Sequence, residues 1–435
     1  MRVGKRMTIG KFRVNLFCKS ITIALLLLRL PFAQAQDTLR LSIDSVEQRF
    51  LKNNLALIAQ KYEIASARAA IIQAHLFENP TFYYENYIPN PFKGQYYSPN
   101  TFTENYFQLQ QLFHIAGQRK KRTNIEKINT QMNEYEYYDM IRSLRNELHN
   151  SFYDAHYLLQ ALNMYQRQLV SAKKIADAMD EQYKKGNLSL KEVTRIKALV
   201  FSLESGKLDV TNQLLEKENS LKILTRSSAQ TFIVPVSDDS KVESFSLTGL
   251  SLQKLISTAD TGRFDLKEAS AAIDKEQASY IFQKSLAIPD LTLGLTYDRS
   301  GNFINNYSGL GVQLPLPLWN RNQGNILVEK NLVEERKVQF ESMKNQVDNE
   351  VTSAYAKALE AETLYKNFDK SFASDYDKLI GGITKEYEKH NVSLLEFLDY
   401  YETYTQSMSD VIHLRSLRIE AIEAINLATG TIVIK

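Results

Sequence analysis

Apolar and small side chains recur at spacings of three and four residues over much of the first half of the chain. The series runs through Ile141, Leu144, Leu148, Ser151, Ala155, Leu158, Leu162, Tyr165, Leu169, Ala172, Ala176, Met179 and Tyr183. This spacing predicts a long helix with a coiled-coil seam. A helix from about Gln118 to Lys184 would be on the order of 100 Å long at 1.5 Å per residue. We therefore expect a protruding rod, and a second helix from Leu190 to about Thr225 that runs back along it.

The same pattern returns in the second half of the chain. A helix is predicted to open at 321–324 and to continue to Tyr387, with a seam at Val347, Val351, Ala354, Ala358, Ala361, Tyr365, Phe368 and Phe372. The segment from Leu394 to Ala428 should then run back. Each half is therefore predicted to contain one long helical hairpin.

Before each long helix the periodicity changes from helical to alternating. Leu291, Leu293, Leu295 and Tyr297 alternate with Thr292, Gly294, Thr296 and Asp298. We predict strand pairs at about 81–88 and 102–112, joined by a polar loop over 89–101, and at about 290–298 and 307–316. Such alternation is typical of transmembrane barrel strands, but an antiparallel sheet with one buried face alternates identically. Four strands cannot close a barrel, since about eight are the minimum known, so a barrel would require strands from several subunits.

The two halves also resemble each other residue by residue at the ends of their hairpins. Tyr183, Asn187, Ser189, Leu190 and Glu192 align without a gap with Tyr387, Asn391, Ser393, Leu394 and Glu396. Ser189 and Ser393 are the predicted N-caps, each followed three residues later by the Glu of a capping box. We divide the chain into a first repeat over 36–226 with its tip near 184–189, a linker over 227–250, and a second repeat over 251–435 with its tip near 388–393.

Residues 1–35 have the features of a secretory signal peptide. A basic stretch precedes the apolar run Ile21 to Leu28, and Ala33-Gln-Ala35 supplies a small-x-small cleavage site. The apolar run is too short to span a bilayer. The only cysteine, Cys18, lies before that run, so we expect no lipid-modified cysteine and no disulfide in the mature chain.

Removal of the signal changes the charge balance. The segment holds seven of the 53 Lys and Arg residues and none of the 50 Asp and Glu residues, which leaves 46 basic against 50 acidic side chains. A nucleic-acid partner is therefore disfavoured.

Signatures of enzyme chemistry are missing from the sequence. The six histidines, His75, His114, His149, His156, His390 and His413, form no HExxH-like zinc pattern, and there is no nucleophile elbow or phosphate loop. We expect no catalytic residues, no cofactor and no metal cluster. A periplasmic coiled-coil scaffold is a different class that explains the rods, but it does not explain strands at matching positions in both halves.

The order of elements resembles the TolC-type outer-membrane factors of tripartite efflux pumps and type I secretion systems. The most specific residues are Asn79-Pro80, Gln108 before Gly117-Gln-Arg119, Leu314-Pro-Leu-Pro-Leu318 before Gly324, and the two tips. The resemblance implies a mainly α fold with a small transmembrane β part, duplicated halves and a long α-hairpin barrel. It also implies a homotrimer in which four strands per subunit form a twelve-stranded barrel in outer-membrane lipid. Such a channel is passive. Its partners would be a periplasmic adaptor and an inner-membrane transporter, either of the resistance-nodulation-division (RND) class or an ABC exporter.

The resemblance also implies roles for residues at the two tips. Glu396 and Asp399 fall on the family's acidic pore constriction, and the alternative is an ordinary capping Glu beside a solvated Asp. Tyr387 falls on an aromatic gate position, Tyr183 is its repeat counterpart, and Arg195 is a substitute partner for Asp399. The adaptor would dock on Gly186, Asn187, Leu188, Ser189, Asn391, Val392 and Ser393. Val392 stands where TolC itself has an arginine that helps lock the closed state, so the family's closing mechanism is not carried over to this chain.

Two further expectations concern cargo and lipid. The form of the second tip, Asn391 to Asp399, is most similar to channels serving heavy-metal cation pumps, with drugs and proteins as the alternative cargo. The basic cluster Arg119-Lys-Lys-Arg122 lies where a strand becomes a helix. It would meet anionic headgroups or form a solvated helix surface.

Overall fold

The computed structural model describes residues 38–86, 92, 105–238, 245–247, 249–300, 304–368, 371–389 and 391–434. The predicted signal peptide, most of the loop over 89–101, and His390 lie outside these ranges. The fold is mainly helical with a small β part and two similar halves, which confirms the predicted fold class at the level of the single chain.

The first half contains the longest helix. Its helices are α1 (Ile43–Asn53), α2 (Leu55–His75), α3 (Gln118–Lys184) and α4 (Leu190–Thr225). Helix α3 has 67 residues without interruption, so it extends on the order of 100 Å.

The second half repeats this order with one difference. Its helices are α5 (Leu252–Gly262), α6 (Phe264–Leu286), α7 (Gln323–Asn367), α8 (Phe372–Glu388) and α9 (Leu394–Thr429). The predicted continuous helix to Tyr387 is wrong, because α7 ends at Asn367 and Phe368 is extended with φ −73° and ψ 131°. The sequence over 367–375 is rich in Asn, Asp and Ser. These side chains compete for the backbone hydrogen bonds of a helix.

Four strands form one antiparallel sheet in the order β2-β3-β5-β6, so the hairpins of the two halves pair directly. The strands are β2 (Thr81–Asn86), β3 (Asn105–Phe113), β5 (Leu291–Ser300) and β6 (Asn305–Gln313). A separate parallel pair, β1 (Thr38–Leu41) with β4 (Phe232–Pro235), joins the N-terminal segment to the linker. The sequence did not reveal this pair, since each strand has only four residues.

The register places apolar side chains in rows across the large sheet. Leu109 lies between Phe82 and Leu295, and Leu295 pairs with Leu310. These four side chains are between 46% and 72% exposed. The neighbouring row, on the opposite face, contains Thr81, Gln110, Gly294 and Gly311. No described part of the chain covers this apolar face, so among the described residues this is not a sheet with one buried face.

In each half, a side chain at the break between the two short helices donates a hydrogen bond to a carbonyl near the end of the returning helix, at equivalent positions. The Asn54 side-chain amide donates to the Leu224 carbonyl near the end of α4, and Arg263 donates to the Ala428 carbonyl near the end of α9. The residues that follow these helices, Arg226 and Gly430, are both left-handed, with φ of 51° and 71°. A Cβ on Gly430 would lie about 3 Å from Arg263, so glycine is required there.

Buried charges fasten the helices near the middle of their length. The Arg418 Nε donates to Glu362 at 2.7 Å, and its guanidinium lies 4.3 Å from the Tyr365 ring. Helix α3 contributes His149, whose Nδ1 lies 3.0 Å from Glu423 on α9 and whose Nε2 lies 3.9 Å from Glu47 on α1. Burial lowers the pKa of His149, but the bond to Glu423 and the charge of Glu47 outweigh it and raise the pKa to about 9.

Candidate functional site at the helical tips

The two hairpin tips are turns built in the same way. In the first, the Asn187 backbone N–H donates to the Gln182 carbonyl at 2.9 Å, and its side-chain amide donates to Gln182 Oε1 at 2.8 Å. In the second, Asn391 makes the equivalent bonds to Glu386 at 3.0 and 2.6 Å. Gly186 supplies the left-handed residue of the first turn, with φ of 78°. The two asparagines, which the repeat alignment matched, therefore close their turns with equivalent hydrogen bonds.

The capping boxes of the two tips differ. The Ser189 hydroxyl accepts from the Glu192 N–H, and the Glu192 carboxylate accepts from the Ser189 N–H at 2.9 Å. In the second tip the Ser393 hydroxyl accepts from the Glu396 N–H at 3.2 Å, but the Glu396 carboxylate makes no hydrogen bond to any described residue. The predicted capping box is therefore complete in the first tip and half-formed in the second, which leaves the Glu396 carboxylate available for another role.

Glu396 and Asp399 are both exposed on the first turns of α9. A separation of three residues puts them on one face of the helix. Asp399 makes no ion pair within the described part of the chain, and neither does Arg195, which is exposed on α4. A single chain therefore does not bring Arg195 and Asp399 together, and a contact between them stays a prediction for an assembly.

Tyr387 and its counterpart Tyr183 lie in different environments. The Tyr387 ring stacks on Phe397 with centroids 4.7 Å apart, and its hydroxyl lies 3.3 Å from the Met179 sulfur. Burial and the charge of Glu192 raise the pKa of Tyr387, so the phenol stays neutral. Tyr183 is 40% exposed. The first repeat has Val193 in place of Phe397 and so offers no ring to stack on.

Below the turns the two hairpins share one hydrophobic cluster, which we call the tip cluster. Its buried members are Leu169, Ala172, Ile175, Ala176, Met179, Val193, Ile196, Leu199, Leu203, Phe397, Leu398 and Tyr401. Leu188 and Val392 pack against it from the turns, each one residue before an N-cap. The pairs Leu188 with Val193 and Val392 with Phe397 have the spacing of hydrophobic staples. This explains Val392 physically, since an apolar residue here completes the tip cluster.

The remaining predicted docking residues form a polar rim around the tip cluster. Gly186, Asn187, Ser189, Asn391 and Ser393 are exposed, while Leu188 and Val392 are half-buried. The sequence missed a neighbouring charge network in which Asp180 accepts from Lys184 and Lys197 at 2.8 and 2.7 Å. These lysines lower the pKa of Asp180 to about 2. The four-residue spacing of Asp180 and Lys184 was a signal that could have found part of this network.

The described ranges contain no group of three or more His, Cys, Asp or Glu side chains arranged to hold a metal ion. Helices with the length and apolar character needed to cross a bilayer are also not found there.

The sequence profile of the outer membrane efflux protein family matches residues 46–225 and 255–431, one match for each repeat. The chain belongs to this family. The chain is also similar in sequence to the cobalt-zinc-cadmium resistance protein CzcC of Cupriavidus metallidurans, with 22% identity over 274 residues. The match covers 63% of this chain and spans 62% of the length of CzcC.

Solved channel structures share the fold across most of the chain. CusC, a protein studied for transmembrane channel formation, superposes with a TM-score of 0.70 at 18% identity, covering 89% of this chain and 92% of CusC. The CmeC outer membrane channel of Campylobacter jejuni gives 0.71 at 16% identity, covering 89% and 85%. The open-state MtrE outer membrane channel of Neisseria gonorrhoeae gives 0.70 at 14% identity, covering 90% and 89%. These similarities establish the fold of this outer membrane efflux protein.

Proposed function

We propose that three copies of this chain form the exit duct of a tripartite efflux system in a Gram-negative outer membrane. The four-stranded sheets would join into one barrel in the lipid, and the helices would form a tunnel through the periplasm. An adaptor protein would dock on the tips, and an inner-membrane RND transporter would supply the energy. The observation that carries the proposal is the exposed apolar face of the sheet, which the described residues leave uncovered.

The ends of the sheet support joining between copies. Strands β2 and β6 are its two edges, and each has one unpaired side. Inside lipid an unpaired strand edge is prohibitively costly, because no water is present to bond its N–H and C=O groups. Pairing β6 of one copy with β2 of the next satisfies both edges. Three copies of four strands exceed the minimum of about eight strands for a closed barrel.

The internal repeat supports a ring of copies in the helical part as well. Helix α9 of the second half packs on α3 of the first half through Thr405, Ile412 and Ile419. At the tip alignment the equivalent residues on α4 are Phe201, Leu208 and Leu215, which are 73%, 59% and 52% exposed. Within the described ranges, this apolar stripe on α4 stays exposed. By the repeat, its partner is the counterpart of α3, which is α7 of a neighbouring copy. Such a head-to-tail contact forms a closed ring when its rotation closes.

The tips support a cation-selective constriction. Glu396 and Asp399 are exposed on one helix face, and neither carboxylate is neutralised by a described residue of its own chain. Around a threefold axis they would form a ring of six carboxylates, which repel one another unless cations or protons are bound. Tyr387, Tyr183 and Arg195 would contribute to the gate. The adaptor would contact the polar rim formed by Gly186, Asn187, Ser189, Asn391 and Ser393, with Leu188 and Val392 beneath it.

The proposed cargo is heavy-metal cations, supported by the similarity to CzcC and by the form of the second tip. A passive duct needs no metal site of its own. The test is the growth of a clean deletion strain on copper, silver, zinc, cobalt, nickel and cadmium salts, and on detergents, dyes and antibiotics. Sensitivity confined to metals supports the cargo. Sensitivity confined to drugs overturns it, and loss of a secreted protein alone would indicate a type I secretion channel.

The duct itself is tested separately from its cargo. The protein should require detergent for extraction and should migrate as a trimer. Release by osmotic shock alone would instead identify a periplasmic coiled-coil structural protein.

A further inference from the structure

The junction between sheet and helices carries large apolar side chains that no described residue covers. The junction consists of the four crossings at 76–80, 114–117, 287–290 and 314–322. Phe77, Ile115, Ile288, Leu316, Leu318 and Trp319 lie there and are between 49% and 87% exposed. They lie in the segments directly beyond the last row in which β3 pairs with β5, Phe113 with Leu291. An apolar surface of this extent requires an apolar partner.

Basic side chains at the same level are of two kinds. The Lys121 ammonium donates to the Ala116 carbonyl at 2.9 Å, and Arg122 lies 3.8 Å from Glu78. By contrast, Arg119, Lys120 and Arg321 have no carboxylate partner among the described residues. The Arg119 guanidinium lies 3.7 Å from the centre of the Phe77 ring, and the Arg321 side chain donates to the Pro317 carbonyl at 3.2 Å. Of the basic cluster found in the sequence, Lys121 and Arg122 therefore bind groups of their own chain, whereas Arg119 and Lys120 are not neutralised by a described carboxylate.

The carboxylates Asp290 and Glu78 at the junction already have polar partners within the chain. Asp290 accepts from Gln118 at 3.0 Å and lies 3.0 Å from His114, while Glu78 lies near Arg122 and His114. The first turns of α3 and α7 contain no acidic residue, and in α3 that turn holds Arg119 and Lys120. Positive side chains at the positive end of a helix are unfavourable unless an anion is present. The junction therefore combines an exposed apolar belt with uncompensated positive charge.

We propose that Arg119, Lys120 and Arg321 bind the phosphate groups of anionic phospholipids, with the apolar belt in contact with the acyl chains. A phospholipid supplies both complements in one molecule, an anionic headgroup and an apolar tail, whereas a free anion supplies only the first. The contact with the Phe77 ring holds the Arg119 guanidinium in place, at the boundary between the headgroups and the acyl chains. This inference rests on the proposed membrane insertion and adds a preference among lipids.

The test uses the full mature trimer, stripped of lipid in a neutral detergent and titrated with phosphatidylglycerol or phosphatidylcholine while bound lipids are counted by native mass spectrometry. Phosphatidylglycerol should bind more tightly than phosphatidylcholine. The variant R119Q/K120Q/R321Q should lose about fivefold in affinity for phosphatidylglycerol per removed charge, and its affinity for phosphatidylcholine should stay unchanged. The variant R119K/R321K keeps the charge and should retain most of the preference.

The control K185Q/K191Q/K385Q removes three exposed lysines at the far tips and should bind phosphatidylglycerol as the parent does. Equal affinity of the parent for both lipids, or equal loss in the control, overturns the inference. Inorganic phosphate that displaces phosphatidylglycerol would identify a simple anion site, and dissociation of the triple variant into monomers would identify a contact between copies. A protein that inserts into bilayers but shows no lipid preference contradicts only this inference, whereas a protein that never inserts contradicts the proposed function.

Discussion

At the scale of single residues, the two tips show how one sequence pattern is put to different uses. The aligned serines and asparagines do the same work in both halves, closing a turn and capping a helix. The aligned glutamates do not, since the Glu192 carboxylate is held by Ser189 and that of Glu396 is not. The aligned tyrosines also diverge, because only Tyr387 has an aromatic partner. The second tip thus has both the carboxylate without a described hydrogen-bond partner, Glu396, and the stacked aromatic ring, Tyr387.

Removing the carboxylates of the second tip should change ion selectivity. In E396Q/D399N the proposed ring of six carboxylates would become neutral, so we expect the permeability ratio of potassium over chloride to fall several-fold toward unity. The measurement is the reversal potential of the purified channel across a salt gradient. The variant E216Q, which alters an exposed carboxylate on α4, should leave the ratio unchanged. An unchanged ratio in E396Q/D399N would mean that these carboxylates do not line the constriction.

Truncating the two aligned tyrosines should have unequal effects. Y387A removes the stack on Phe397 and the contact with Met179, so the free energy of local opening at the tip should fall by about 1–2 kcal/mol. Y183A removes a ring that is 40% exposed and should change it by less than about 0.5 kcal/mol. Hydrogen exchange of the amides in α8 and α9 measures both. Equal effects of the two variants would contradict a role for Tyr387 in the gate.

At the scale of elements, His149 joins three helices that are distant in the sequence. It lies on α3 and faces carboxylates from α1 and α9, and Arg145 holds the same Glu47 at 2.7 Å. Asn426 and Asn146 lie beside Glu423 and complete the polar surroundings. The contact fastens the N-terminal helix to the returning helix of the second half, so its protonation is coupled to the packing of both halves.

The stability contributed by His149 should depend on pH in a defined window. Its pKa is raised from 6.5 to about 9 on folding, so the contribution is complete below pH 6.5 and is lost as the pH rises through 9. A shift of this size corresponds to about 3 kcal/mol at roughly 1.4 kcal/mol per pH unit. Urea unfolding between pH 6 and 10 should show this loss in the parent and in the control H75Q, but not in H149Q. An identical profile in H149Q would contradict the role of the buried imidazole.

Periodicity predicted most helices and the sheet, and what it missed has physical causes. The long seam from Ile141 to Tyr183 is a local signal, and it matches α3. The end of α7 was missed because apolar spacing alone does not register the Asn, Asp and Ser residues that follow Asn367. The tip residues were predicted from alignment of the repeats and from family resemblance. Tyr387 on Phe397 and the half-formed capping box depend on side-chain contacts that spacing does not encode.

At the scale of the whole molecule, two exposed apolar surfaces on the helices have counterparts that are covered elsewhere in the same chain. The exposed stripe on α4 matches the covered face of α9, and in α2 the exposed Leu55 matches Phe264 of α6, which stacks on Tyr138 of α3. The two halves therefore already contain one example of the contact that adjacent copies would make. A chain of two halves leaves one such face open at each side, which is the arrangement expected of a ring.

Crosslinking at repeat-equivalent positions tests this ring directly. Asn219 and Ser353 are the counterparts of Glu423 and His149, and both are exposed. The mature chain is predicted to lack cysteine, so N219C/S353C introduces two thiols into a clean background. A short bismaleimide should produce dimers and trimers and nothing larger. The single variants N219C and S353C should produce no trimers, and monomers alone or an unlimited ladder from the double variant would exclude a closed ring of three.

The central claim is that three copies of the chain form a passive duct, and single-channel recording in a planar bilayer tests it most directly. Purified trimer added without adaptor, transporter or nucleotide should give discrete current steps of one principal size that require no energy source. A correctly folded trimer that inserts into the bilayer and passes no current under any applied voltage would contradict the account.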